Sequence, residues 1–469
     1  MTELTFDNLL AAIEDSNGRE ILNPATGELV GRAPRHTVSD LNDAVQRAVD
    51  SQQGWAALTD EERCHYLFKA ADAIAAVAEP LAQLLSREQG KPLNGPNARF
   101  EVGACTAWLQ ATASFELKEE TLVDDGEKHA VINYRPIGVV GAIGPWNWPM
   151  MITIWQVAPA LRMGNTVVVK PSEYTPLSVL ALVYVLNTVL PEGVLTIVSG
   201  EGDVGAALST HEDIGKIMFT GSTATGKKII EASADTIKRL TLELGGNDAG
   251  IVLDDVDPTA IAEDLFWGAF INTGQTCAAL KRLYVPDAIY DEVCAALVAV
   301  AENMPMGVGL DEHNVLGPLQ NKAQFDIVDR LVTAAKDSGA RVLTGGDPDR
   351  DAPGYFYPTT LVADIDLDNP LVVEEQFGPV LPIIRYTDLD DAIAHANSLD
   401  YGLGASVWSS DRERAVNVAA GIEAGTVWIN NHGGIDPRIP FGGIKGSGFG
   451  LEFGVEGLKA LGVPQVISG

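Results

Sequence analysis

The sequence predicts an α/β fold, with parallel sheets covered by helices on both faces and divided over two or three domains. Three observations predict it. From residue 137 onward, short apolar runs alternate with helical stretches of about 10–15 residues, the rhythm of repeated βαβ units. The chain has 469 residues, beyond the ~250–300 at which a single hydrophobic core stops growing. The polar residues of greatest chemical interest fall at the carboxyl ends of the predicted strands, where open parallel sheets bind ligands.

The first hundred or so residues read as mostly helical, with Ala-rich amphipathic stretches at 41–49 and 63–85. Residues 139–143 (Val-Val-Gly-Ala-Ile) form the first buried strand, stopped by Gly144 and Pro145 and followed by a helix over 150–161. The next strand is 166–169 and the next helix 177–190. Strands at 195–198, 216–219 and 240–244 continue the series, with helices starting at Val204 and Thr225. The apolar run 179–190 is too short to span a bilayer, contains Asn187 and Thr188, and stops at Pro191. A second αβ region runs from about Gly246 to Pro437. No repeat, low-complexity segment or long linker interrupts the chain.

Apolar residues make up 46% and charged residues 20%, as in an ordinary globular protein. The charge balance is unusual, with 32 Lys and Arg against 64 Asp and Glu, a formal net charge of −32. Such a surface repels phosphate backbones and anionic lipid, which argues against nucleic-acid and membrane partners. It also leads us to expect a halophilic protein, kept soluble at high salt where self-repulsion is screened. The four cysteines, Cys64, Cys105, Cys277 and Cys294, form neither a disulfide framework nor a CxxC metal pattern, so we expect no metal and a cytoplasmic location. The start, Met1-Thr2-Glu3-Leu4, lacks the basic and apolar regions of a signal peptide.

Six motifs carry chemistry, each with a plain alternative. Cys277, in Gly-Gln-Thr-Cys, has small neighbours that leave room for attack by its sulfur, though a lone cysteine is usually a buried apolar residue. Glu243 ends an apolar strand before two glycines; it is either a turn cap or a general base raised by desolvation. Asn147, between Trp146 and Trp148 in Pro-Trp-Asn-Trp-Pro, belongs to a rigid turn or donates its amide to an oxyanion. Gly221 and Ser222 open a helix whose N-terminus suits a phosphate. Lys170 and Glu173, in Lys-Pro-Ser-Glu, bind hydroxyls or form a surface pair. Glu375 and Phe377, in Glu-Glu-Gln-Phe-Gly-Pro, sit beside a Gly-Pro turn that is otherwise an ordinary loop.

Taken in their order along the chain, from Pro-Trp-Asn-Trp-Pro through Lys-Pro-Ser-Glu, Phe-Thr-Gly-Ser-Thr, Leu-Glu-Leu-Gly-Gly, Gly-Gln-Thr-Cys and Glu-Glu-Gln-Phe-Gly-Pro to Pro-Phe-Gly-Gly, these motifs resemble the aldehyde dehydrogenase superfamily, and the resemblance covers essentially the whole chain. It implies the aldehyde dehydrogenase fold, with a Rossmann-like cofactor domain (1–120 and 137–245), an αβ catalytic domain (246–437) and an oligomerisation or bridging element (121–136 and 438–469) that includes a small β-ribbon at roughly Glu127–Arg135 and Leu458–Ile467. It implies Cys277 as nucleophile, Glu243 as the base for the deacylating water, and Asn147 as the oxyanion donor. Lys170 and Glu173 would hold the adenosine ribose, Gly221 and Ser222 the pyrophosphate, and Glu375 the nicotinamide ribose, with Trp146 and Phe377 alongside. Thiolate attack, hydride transfer to NAD⁺ and hydrolysis of a thioester would then give a carboxylate. Glu173 favours NAD, with NADP as the alternative, because a carboxylate repels a 2′-phosphate.

The resemblance further implies a substrate tunnel lined by Trp148, Met151, Trp155, Thr276, Ala278, His432 and Ile435, fitting a medium-sized aliphatic or aromatic aldehyde. Arg438 in the same loop raises the alternative of a semialdehyde with its own carboxylate. A CoA-acylating relative is a further alternative, opposed by Glu243. A homodimer or homotetramer is implied. The chain departs from the family pattern at Leu451, where an arginine is usual.

Overall fold

A computed structural model describes residues 5–469 of the chain, so the start Met1–Leu4 lies outside the described residues. Two sheets dominate. The first has six strands in the order Gly448–Phe449, Arg239–Glu243, Ile214–Thr220, Val139–Ile143, Thr166–Lys170 and Leu195–Ile197. All its pairings are parallel except that of Gly448–Phe449 against Arg239–Glu243. The second has seven strands, ordered Arg341–Thr344, Thr360–Ala363, Val380–Tyr386, Leu280–Pro286, Asp248–Val252, Gly404–Trp408 and Thr426–Ile429. It is parallel apart from its first pair.

Every residue of Val139–Ile143, Thr166–Lys170 and Asp248–Val252 is buried, the mark of strands covered on both faces. Helices Pro149–Arg162 and Pro176–Leu186, buried along nearly their whole length, cover the first sheet. Among the described residues, no helix is long and apolar enough to cross a membrane.

The amphipathic N-terminal helices form as expected. Val38–Ala56 and Asp60–Ala75 each begin with a reciprocal capping box, Thr37 with Asp40 and Thr59 with Glu62, worth roughly 1 kcal/mol per cap. The helical expectation for this region misses a hairpin, Arg19–Leu22 against Leu29–Ala33. Its turn is set by Asn23, whose side chain accepts from the Ala25 N–H, and its strands are too short to show alternation.

A three-stranded ribbon pairs His129–Pro136 with both Glu120–Asp124 and Gly462–Ser468. Leu458, read as part of the ribbon, lies instead in the short helix Gly454–Lys459.

Candidate active site

Lys170 and Thr220, at carboxyl ends of the first sheet, and Leu244 and Gly245, just past the end of its Arg239–Glu243 strand, come together with Cys277, which precedes a strand of the second sheet, and with Glu375. A cavity of about 650 Å³ opens there. It is lined by Trp146, Asn147, Lys170, Glu173, Gly221, Ser222, Cys277, Glu375 and Phe377, so the structure gathers these residues from five separate stretches of sequence.

Cys277 follows helix Pro258–Phe270 and a tight turn, Ile271–Gly274. Asn272 and Thr273 are both left-handed there, with φ 51° and 57°. Two such residues in succession cost roughly 1–2 kcal/mol each, so the surroundings must impose the turn. They do so through buried hydrogen bonds. Asn272 donates to the carbonyls of Asn147 (2.9 Å) and Gln275 (3.2 Å), and the Thr273 hydroxyl accepts from the Gly317 N–H (2.9 Å). Gly274 has no substitute, since a Cβ there would lie 2.1 Å from the Gly378 oxygen.

The Asn147 side chain donates to the Gln275 carbonyl at 2.9 Å, which leaves its second N–H for another acceptor. A buried ion pair fixes its backbone. The Lys91 ammonium, 2.6 Å from Glu101, also donates to the Asn147 carbonyl at 2.7 Å, and burial pushes its pKa down to about 8. The other Glu101 oxygen accepts from Met150 and Met151 N–H groups at the start of helix Pro149–Arg162. Sequence reading missed both; a lysine and a glutamate give no local sign of a partner ten residues away.

Glu243 ends its strand buried, and neither carboxylate oxygen has a hydrogen-bond partner among the described residues. Burial, and then the charge of Glu452, hold its carboxyl well above the usual range. Burial also pushes Glu452 up to about 7, against the opposing charge of Lys216. Burial pushes the Cys277 thiol up to about 12, and Glu243 and Asp248 add to that rise while Lys281 opposes it.

At the other end of the cavity Lys170 donates to the Pro171 carbonyl at 3.1 Å and stands 3.9 Å from Glu173. Its side chain is 5% exposed, so the two are not a surface pair. One firm bond leaves the ammonium donors free for hydroxyl groups. Ser222 caps helix Thr223–Ser233, and Gly221, Ser222 and Thr225 line the cavity, so the N-terminus of that helix borders it, a position that suits an anion. Glu375 bonds Lys281 and the Gly246 N–H, and its carboxylate occupies the space a Cβ on Gly245 would need, 2.5 Å away. Phe377, left-handed at φ 46°, meets Trp146 edge-on at 5.3 Å. This elongated cradle of cation, helix N-terminus, carboxylate and aromatic rings fits a dinucleotide.

Of the residues expected along a substrate tunnel, none lines this cavity. Trp148 donates to the Thr276 hydroxyl at 3.0 Å, Met151 and Ala278 are buried, and Trp155 packs edge-on to Phe453 at 4.7 Å. Ile435 is half-buried. His432 is likewise buried, with Nδ1 2.8 Å from the Ser406 hydroxyl and Nε2 3.6 Å from Asp248. Arg438 is exposed and already paired with Asp436 at 2.9 Å, which weakens its reading as a receptor for a substrate carboxylate.

Comparison with known proteins identifies the family. The model of the aldehyde dehydrogenase family matches residues 12–466. Aldehyde dehydrogenase LUC3 of Fusarium sp is 38% identical over 460 residues, covering 97% of each chain. Phenylacetaldehyde dehydrogenase of Pseudomonas fluorescens is 38% identical, covering 94% of this chain and 90% of its own. The solved structure of PnpE, from Pseudomonas sp. WBC-3, in complex with nicotinamide adenine dinucleotide superposes with a TM-score of 0.92 at 36% identity, over 96% of this chain and 93% of that one. The chain belongs to the aldehyde dehydrogenase family, and is thus an NAD(P)-dependent oxidoreductase that converts aldehydes to acids.

Proposed function

We propose that this enzyme oxidises a medium-sized aliphatic or aromatic aldehyde to its carboxylate, with NAD as the favoured cofactor. The single observation that carries the roles is the convergence of Cys277, Asn147 and Glu375 on one cavity, with Glu243 buried beside it. Cys277 attacks the aldehyde carbon, and the free N–H of Asn147 meets the oxygen as it becomes negative. NAD, when bound, supplies the hydride acceptor. Glu243 then takes a proton from the water that attacks the thioester, a task suited to a carboxylate whose affinity for protons is raised. Lys170, Glu173, Gly221, Ser222, Glu375 and Phe377 bind and orient the cofactor, and Glu173 turns away a 2′-phosphate.

The apolar character of Trp148, Met151 and Trp155, and the self-satisfied Arg438, support an uncharged substrate over a semialdehyde. Formation of NADH at 340 nm across an aldehyde panel tests this reading. Phenylacetaldehyde-like and medium aliphatic aldehydes should turn over faster with NAD than with NADP. Faster turnover of a carboxylate-bearing aldehyde, or reduction only when CoA is present, would reject it.

We further propose that residues 1–120 with 137–245 bind the cofactor, 246–437 carry the nucleophile, and 121–136 with 438–469 join copies into a dimer or tetramer. The net charge of −32 supports a saline cytoplasm as the working medium. Thermal unfolding in dilute buffer and in molar KCl checks this last point. The melting temperature should rise with salt, and an unchanged or falling value would sink the halophilic reading.

A further inference from the structure

Lys281 lies four positions after Cys277, inside the strand Leu280–Pro286, with its side chain 2% exposed. A lysine without solvent must find acceptors for its three N–H donors. This one donates to the carbonyl of Cys277 itself (2.7 Å), to the Glu375 carboxylate (2.7 Å) and to the Gly246 carbonyl (3.2 Å). Its ammonium also stands 5.3 Å from the centre of the Phe377 ring. It therefore ties together the backbone of the nucleophile, the turn after Glu243 and the loop that carries Glu375.

The charges around Cys277 give this position its meaning. Glu243 reaches it from the strand Arg239–Glu243, with Glu452 behind, and Asp248 from the strand Asp248–Val252, with His432 at 3.6 Å. Glu243 and Asp248 act against a thiolate, and Lys281 acts in its favour. Glu375 offsets part of the lysine charge through their 2.7 Å contact.

We propose that Lys281 is the positioning residue that holds the Cys277 backbone and supports negative charge on its sulfur, with Glu375 setting how much of that support reaches it. The proposal rests on Cys277 being the nucleophile. A thiolate, unlike a thiol, reacts with iodoacetamide, so the alkylation rate of Cys277 against pH reads the support directly, without cofactor or substrate. Peptide mass spectrometry separates Cys277 from Cys64, Cys105 and Cys294.

In Lys281→Met the profile should move to higher pH by about one unit or more, so that alkylation at pH 8 falls about tenfold. In Glu375→Gln it should move the other way, because the ammonium is no longer neutralised. Folded Lys281→Met protein whose profile superposes on the wild type would overturn the proposal. If Lys281→Met does not fold, Glu375→Gln decides alone: a profile that stays put or moves to higher pH overturns it. NADH formation in Cys277→Ala separates the two claims, since activity that survives there would defeat the nucleophile assignment whatever the Lys281 profile shows.

Discussion

The Cys277→Ala variant is expected to lose aldehyde-dependent NADH formation by about 10⁴-fold or more, the scale seen when a covalent nucleophile is removed. Its folded state should be nearly unchanged. The turn before Cys277 is held by Asn272, Thr273 and Gln275 rather than by the sulfur. Cofactor binding, followed by quenching of protein fluorescence, should therefore survive while turnover does not. Retained turnover would remove Cys277 from the chemistry. In the wild type the rate should climb from neutral into alkaline pH, because burial pushes the thiol up to about 12 and its reactive form is scarce at neutrality.

The second large effect is kinetic and thermodynamic at once. Glu243→Gln should release about one NADH per active site in a rapid burst and then stall, with steady-state turnover lowered roughly 10²–10⁴-fold. Rapid-mixing absorbance at 340 nm separates the two phases, and a steady state without a burst would show that Glu243 acts before hydride transfer. The stability effect has a definite sign. Glu243 binds its proton more tightly in the folded state than in the unfolded one, so its contribution is fully present below the ordinary carboxylate range and is lost as pH rises through its raised value. The variant cannot ionise. Its melting temperature should gain on the wild type as pH increases from 5 to 9, and a constant difference across that range would contradict the raised carboxyl.

Much of this architecture is legible in the residues. Runs such as Val139–Ile143 and Thr166–Lys170 are apolar almost throughout, and burial on both faces has no other sequence signature. Lys170, Gly221 and Ser222 are legible because they sit at a strand end or a helix start, where local chemistry and position coincide, whereas Cys277, Glu375 and Phe377 lie in loops marked by their motifs. What stays hidden depends on contacts distant in sequence. The left-handed Asn272 and Thr273 oppose their own preferences, and only Asn147 and Gly317 explain them. Nothing local in the sequence shows that Ser406 and Asp248, from two strands, lie beside the ring of His432. Lys281 has a visible trace, a lysine and an arginine within the otherwise apolar run Leu280–Pro286, but its partner Glu375 lies far along the chain.

The two-residue strand Gly448–Phe449 has a consequence for how the protein is made. It covers the edge of the first sheet at Leu242 and Glu243. Without that segment, the outer edge of the Arg239–Glu243 strand is unpaired at Leu242 and Glu243. Exposed strand edges recruit other strands, and the nearest ones during synthesis belong to neighbouring nascent chains. Chains truncated just before Gly448 should therefore aggregate rather than give a smaller soluble enzyme.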